Sequence, residues 1–286
     1  MAASNPKASF HARSNSLPSR PHPLVLQCNE HLDRLRASKE TSTSSSLGHK
    51  LQGLQDLHEH IEKLVQLPLA QESLLQESQD ELLEGTLRLL DICTTAKDSL
   101  LHTKECTREL QSIIRRRRGG ELELTAEFKK FLNSRKVVKK AILKALGNLK
   151  GMAKKYNFSP ANNDHVALID LLKDFEIITL SIFESLLSFI SGSTQAKSSS
   201  WSLVSKLMQT KRVACSQVAD ESEFVQVDAV LQSFVLHKAG KFEDISNLQN
   251  QLEKMDSCIQ DLEEGLEFLF RRLIKIRVAL LNILSH

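Results

Sequence analysis

From Ile245 the apolar positions of this chain continue through Leu248, Leu252, Met255, Ile259, Leu262, Leu266, Leu269, Leu273, Ile276, Leu280 and Ile283, in steps that alternate between three and four. A 3.5-residue repeat held for more than five heptads keeps one narrow stripe of a helix turned toward a neighbouring helix. No strand carries such a pattern, because its side chains alternate with a period of two. The repeat therefore predicts a long, packed helix over 245–283. It leaves the mate open: antiparallel bundles within one chain use the same left-handed geometry as self-association or a foreign helix.

Two details bear on the mate. The first half of the helix is acidic (Asp256, Asp261, Glu263, Glu264, Glu267) and the second basic (Arg271, Arg272, Lys275, Arg277). That polarity suits the helix dipole and favours an antiparallel neighbour. In the second half Phe268, Phe270, Ile274, Val278 and Leu281 widen the seam into a broad apolar surface, which is expected to pack within the chain's own bundle before it serves as a docking site.

The rest of the sequence points to the same all-α class. Ten glycines, six prolines and 5% aromatics leave long runs rich in Leu, Lys, Glu, Ser and Gln, a composition that favours helices. Residues 1–22 mix Ser, Asn, Arg, His and Pro without periodicity and are expected to form a disordered tail. A short helix after Pro23 uses Leu24, Cys28, Leu32 and Leu35. The Ser/Thr run 41–46 reads as a linker whose last serines cap a helix through Leu47, Leu51, Leu54, Leu57, Ile61 and Leu64, which Pro68 should stop. One long helix is expected from Leu69 to about Arg118, closed by Gly119 and Gly120, and another from Glu121 to about Tyr156.

The most apolar stretch, 166–190, contains Asp170, Lys173, Asp174, Glu176 and Glu184, charges too costly for hydrocarbon, so it is expected to be a buried bundle helix and not a membrane span. The Ser-rich segment 191–200 is the place for a subdomain break within a bundle spanning 23–286. Two shorter helices should follow, one through Trp201, Val204 and Leu207, the other through Phe224, Val227, Val230, Leu231, Phe234 and Val235. The expected architecture is an elongated antiparallel helical bundle with a heptad helix near its C-terminus.

A formal charge of +3 does not call for a polyanionic partner of the whole molecule, but charge is unevenly placed. Between Arg115 and Lys155 there are fourteen Lys or Arg against three Glu. Arg115, Arg116, Arg117 and Arg118 precede the glycines. Lys129, Lys136, Lys140, Lys144, Lys154 and Lys155 share one side of the next helix, opposite Phe128, Phe131, Leu132, Ile142, Leu146 and Leu149. This is either a solvated face or a contact for anionic lipid, an acidic protein or nucleic acid. Nucleic acid is disfavoured by the scarcity of accompanying aromatics.

In the tail, Arg13-Ser14-Asn15-Ser16-Leu17-Pro18 has the arginine, serine and proline spacing of phosphoserine motifs read by 14-3-3 proteins, with Ser16 the modified residue. Cys28, Cys93, Cys106, Cys215 and Cys258 are odd in number, well separated and without C-x-x-C, and the chain opens on polar residues instead of an apolar signal core. The expectation is a reduced protein of the cytoplasm, with the nucleus or a peripheral membrane location as alternatives. His58 and His60 stand at i, i+2, which puts them on different sides of a helix, unlike helical zinc pairs. No phosphate-loop, dinucleotide or nucleophile-elbow motif occurs. Neither an enzyme nor a cofactor is expected.

Several strings along the chain resemble the plant-specific BYPASS-like family: SFHARSNSLPSRPHP (Ser9 to Pro23), LQDLHEHIEKLVQLP, LLDICTTAKDSLL, ELQSIIRRRRGG and the terminal VALLNILSH. The resemblance runs from about Phe10 to His286 and brings no catalytic residues with it. It implies a helical plant protein, the founding member of the family being linked to root and shoot development through restraint of a root-derived mobile signal. Together with the residue patterns, the expected function is that of a non-enzymatic regulatory or adaptor protein of plant development acting through other proteins held on helical surfaces, with a peripheral membrane or nucleic-acid binder acting through 115–155 as the alternative.

Overall fold

A computed structural model describes residues 22–38, 43–75, 79–116, 121–152, 164–192, 222–236 and 242–285. Among these, eight helices and no strand are found: α1 (Pro23–Ala37), α2 (Ser44–Val65), α3 (Pro68–Leu75), α4 (Gln79–Arg116), α5 (Glu121–Met152), α6 (Asp164–Ser191), α7 (Glu223–Leu236) and α8 (Phe242–Leu284). The all-α expectation is met. The tail motif and the helix expected through Trp201, Val204 and Leu207 lie outside the described residues, as do Arg117, Arg118, Lys154 and Lys155.

Local chemistry explains the helix starts. Pro23 occupies the first turn of α1, where its missing N–H costs nothing, and His22 Nδ1 accepts from the Leu24 amide at 3.2 Å. Thr43, not one of the serines, caps α2: its Oγ1 accepts from the Ser46 amide at 3.3 Å, and Ser44–Ser46 form the first turn. Pro68 does not simply stop a helix. The α2 helix ends at Val65, and Pro68 then opens α3 at the position where proline is tolerated best. The single helix expected from Leu69 is thus two, α3 and α4, on either side of residues 76–78.

The bundle is built along α8. Its 43 residues make a rod of about 65 Å at the α-helical rise. Every seam residue from Leu248 to Ile283 is buried, and Ile245 is partly so. The seam packs against α4 and α2. Arg115 pairs with Glu253 at 3.1 Å, Arg108 with Asp256 at 3.2 Å, Lys104 with Glu263, and Lys97 with Glu267 at 2.6 Å. Numbers fall on α4 as they rise on α8, so the two are antiparallel, as the charge gradient predicts. In the basic half of α8, Arg277 still reaches Thr86 of α4 at 3.0 Å, while Arg272 and Lys275 meet α2 in a parallel pairing: Arg272 lies between Glu59 and Glu62, and Lys275 is 3.6 Å from Glu62.

Other layers wrap this core. Antiparallel to α4 runs α5, with Lys130 on Glu109 at 2.7 Å and Arg135 reaching Thr103. The most apolar helix, α6, lies across α4, α1, α2, α5 and α3 and is buried as expected. Arg88 reaches its Glu176 at 2.8 Å. At Gly85, beside that carboxylate, a Cβ would collide with it. Gly192 ends α6 at φ +67°, the left-handed region glycine enters without steric cost. Side chains before and after 193–221 belong to one hydrophobic core. No described helix is long and apolar enough to cross a membrane.

Candidate functional site

Three features stand apart from ordinary core packing: a buried polar hub, an apolar groove, and a basic outer face.

The hub is centred on Arg135. It follows Phe131 by four residues and precedes Val138 by three, so it falls on the apolar side of α5 and is only 2% exposed. Its Nε and Nη2 donate to the Asp228 carboxylate of α7 at 3.3 and 3.4 Å. Nη2 also donates to the Ile190 carbonyl at 2.7 Å, Nη1 to Thr103 Oγ1 at 3.4 Å, and the guanidinium lies 5.1 Å from the Phe224 ring. Lys139 adds a second cation 2.8 Å from Asp228. Ser222 Oγ caps α7 and donates to the Phe189 carbonyl at 3.4 Å. Four helices are thereby joined, and the two ends of segment 193–221 are held together. In the sequence Arg135 is one of the fourteen cations between Arg115 and Lys155. Its position on the Phe128, Phe131, Val138, Ile142 line was the available signal. With every guanidinium nitrogen engaged, the hub reads as structural.

A second buried polar group is His58, on the Leu54, Ile61, Val65 side of α2. Its Nε2 is 3.3 Å from Thr179 Oγ1, and its ring lies edge-on to Phe175 at 4.7 Å. Burial, helped by the Arg272 charge, pushes its pKa down to about 3, so it is neutral at ordinary pH. His60 points elsewhere and stacks on His31 at 4.8 Å, as the i, i+2 spacing requires. Among the described residues no group of three His, Cys, Asp or Glu side chains is placed to hold a metal ion. Cys28, Cys93 and Cys258 are buried free thiols whose pKa burial raises, to about 12 for the first two.

The groove lies where the end of α8 meets α2 and α3. About 600 Å³ in volume, it is lined by Val65, Leu75, Ile274, Val278 and Ile283, with Gln66, Gln71 and Lys275 around it. The expectation that the broadened seam packs inside the bundle fails here. Phe270 is half-buried, and the Lys97 ammonium sits 4.3 Å from its ring. Phe268, Ile274, Val278 and Leu281 remain exposed. The α8 helix buries one stripe against α2 and α4, and the flanking positions turn past the reach of either neighbour.

On α5 the apolar side predicted from the sequence is in the core, with Phe128, Phe131, Ile142 and Leu146 buried. Lys129, Lys136, Lys140 and Lys144 are all exposed on the opposite side. Arg115 and Arg116 do not join this stripe. They line a polar groove between α4 and α8, where Arg115 is committed to Glu253.

These features define an all-α helical bundle. The model of the family described as Protein BPS1 matches residues 50–283, and the chain belongs to that family, the BYPASS family. No curated protein and no solved structure matches it.

Proposed function

We propose that this protein is a non-enzymatic regulator of plant development that works as an adaptor, holding another protein on the exposed apolar end of α8. Family membership supports the developmental role. The observation that carries the adaptor reading is the contrast along α8. Its heptad seam is consumed inside the chain, yet Ile274, Val278 and Leu281 stay in water beside Leu75 and a groove of about 600 Å³. Apolar side chains grouped at a groove with a polar rim fit the non-polar face of an amphipathic helix. Restraint of a root-derived mobile signal is the pathway in which we place this adaptor, from the cytoplasm.

The test compares partners captured from root extract by the intact protein and by an Ile274→Asp, Val278→Asp variant, with helical content checked by circular dichroism. Partners lost from a folded variant support the groove; an unchanged set removes it. Phosphorylated Ser16 would supply a separate contact, to 14-3-3 proteins, through Arg13, Ser14 and Pro18. A Ser16 phosphopeptide without affinity for 14-3-3 ends that part of the proposal.

A further inference from the structure

The outer face of α5 carries a second, independent surface. From Phe128 to Leu149 the sequence contains no Asp or Glu. The lysines of this helix divide into two sets. Lys130 and Lys139 lean to the sides and are neutralised, by Glu109 at 2.7 Å and Asp228 at 2.8 Å. Lys129, Lys136, Lys140 and Lys144 point straight out, and none forms an ion pair with a described residue; Lys136 meets only the Asn133 amide oxygen, at 3.5 Å.

Apolar side chains stand among these cations. Val137 is 65% exposed and Leu143 58% exposed, three residues before and three after Lys140, so both border the lysine stripe on the helix surface. No described helix covers them. Four unpaired ammonium groups with aliphatic side chains between them match a surface that is anionic at its headgroups and apolar just beneath. A nucleic acid backbone offers the charge but nothing for Val137 and Leu143, and the described exposed residues of this face include no aromatic ring on which a base would stack.

We propose that α5 docks the protein, lying flat, on an anionic bilayer surface, its four lysines on lipid phosphates and carboxylates and Val137 and Leu143 in the headgroup–acyl boundary. The α8 groove is a different surface, so failure of this proposal leaves the adaptor reading standing, and the reverse holds.

The experiment is cosedimentation of the full chain with vesicles of phosphatidylcholine alone or with about one-third phosphatidylserine, from roughly 0.1 to 0.5 M salt. Binding is expected only to the anionic vesicles and should fade as salt rises. At about fivefold per lysine near the surface, changing Lys129, Lys136, Lys140 and Lys144 to Gln should weaken it by about two to three orders of magnitude. A Val137→Ser, Leu143→Ser variant, with all charge kept, should lose about tenfold. Circular dichroism establishes that both variants are folded. Equal binding to neutral vesicles, or anionic binding that survives loss of the lysines, overturns the proposal. So does a lysine-dependent affinity for duplex DNA or an acidic peptide that exceeds vesicle binding and ignores the Val137 and Leu143 change.

Discussion

Helices α8 and α5 carry the two strongest patterns in the chain, and the fold uses them in opposite ways. The seam of α8, from Leu248 to Ile283, is buried within the bundle, chiefly against α4 and α2, and its charge gradient is spent on Glu59, Glu62 and four cations of α4. The lysine stripe of α5 is left facing water, with two aliphatic neighbours beside it. A hydrophobic repeat obliges burial, since each fully buried Leu or Ile contributes about 1.5–3 kcal/mol. A charge pattern obliges only exposure. The first therefore identifies what builds the protein, and the second what remains free to bind.

Replacing both Leu262 and Leu269 by Ala should have the largest effect. At about 2–5 kcal/mol per core Leu→Ala change, the pair approaches the whole stability of an ordinary domain, and urea melts should show a chain unfolded or nearly so. If instead the double variant stays folded and only its oligomeric state changes, the seam serves association and the contrast with α5 collapses. Arg135→Met comes next, at about 3–5 kcal/mol, because it strips Asp228 of its main buried partner. A second change, Asp228→Leu in that background, should recover part of the loss.

His58 supplies a pH dependence with a definite sign. The unfolded chain binds a proton below about 6.5 and the folded one only below about 3, so through that window the unfolded state holds more protons. Stability should fall with acidification, by up to about 1.4 kcal/mol per pH unit from this group. Urea midpoints of wild type and His58→Leu between pH 5 and 7 isolate it from the carboxylates; parallel curves would mean that His58 is solvated. At the small end, Lys97→Gln should cost no more than about 1 kcal/mol, and less in high salt, since its pair with Glu267 is partly exposed. Changing Lys140 and Lys144 to Gln should leave the melt within about 0.5 kcal/mol of wild type. A larger loss would move the α5 stripe from binding surface to structural element.

Much of the fold was legible in the sequence. The seam, the buried α6 and the apolar side of α5 follow from the spacing of side chains along single helices, and the antiparallel run of α4 beside α8 follows from its charge gradient, whereas the parallel α2 neighbour does not. The misreadings have physical causes too. Proline is a helix breaker inside and a helix starter at the first turn, and Pro68 takes the second role because α2 has already ended at Val65. Thr43 and the serines after it are near-equivalent caps, so composition alone does not choose among them. Of the candidate surfaces, the lysine stripe was visible from periodicity, but the groove was not, since it is formed by three helices distant in sequence.

By itself the sequence determined that the chain is helical, which stripe of each helix must leave water, and where charge gathers, because these depend on periodicity within one helix. Only the tertiary structure decided that Ile274, Val278 and Leu281 stay outside, that Arg135 goes in, and that Lys130 and Lys139 are neutralised while four lysines are not. Those outcomes depend on which neighbour stands within a few ångströms of each side chain, and no single helix carries that information.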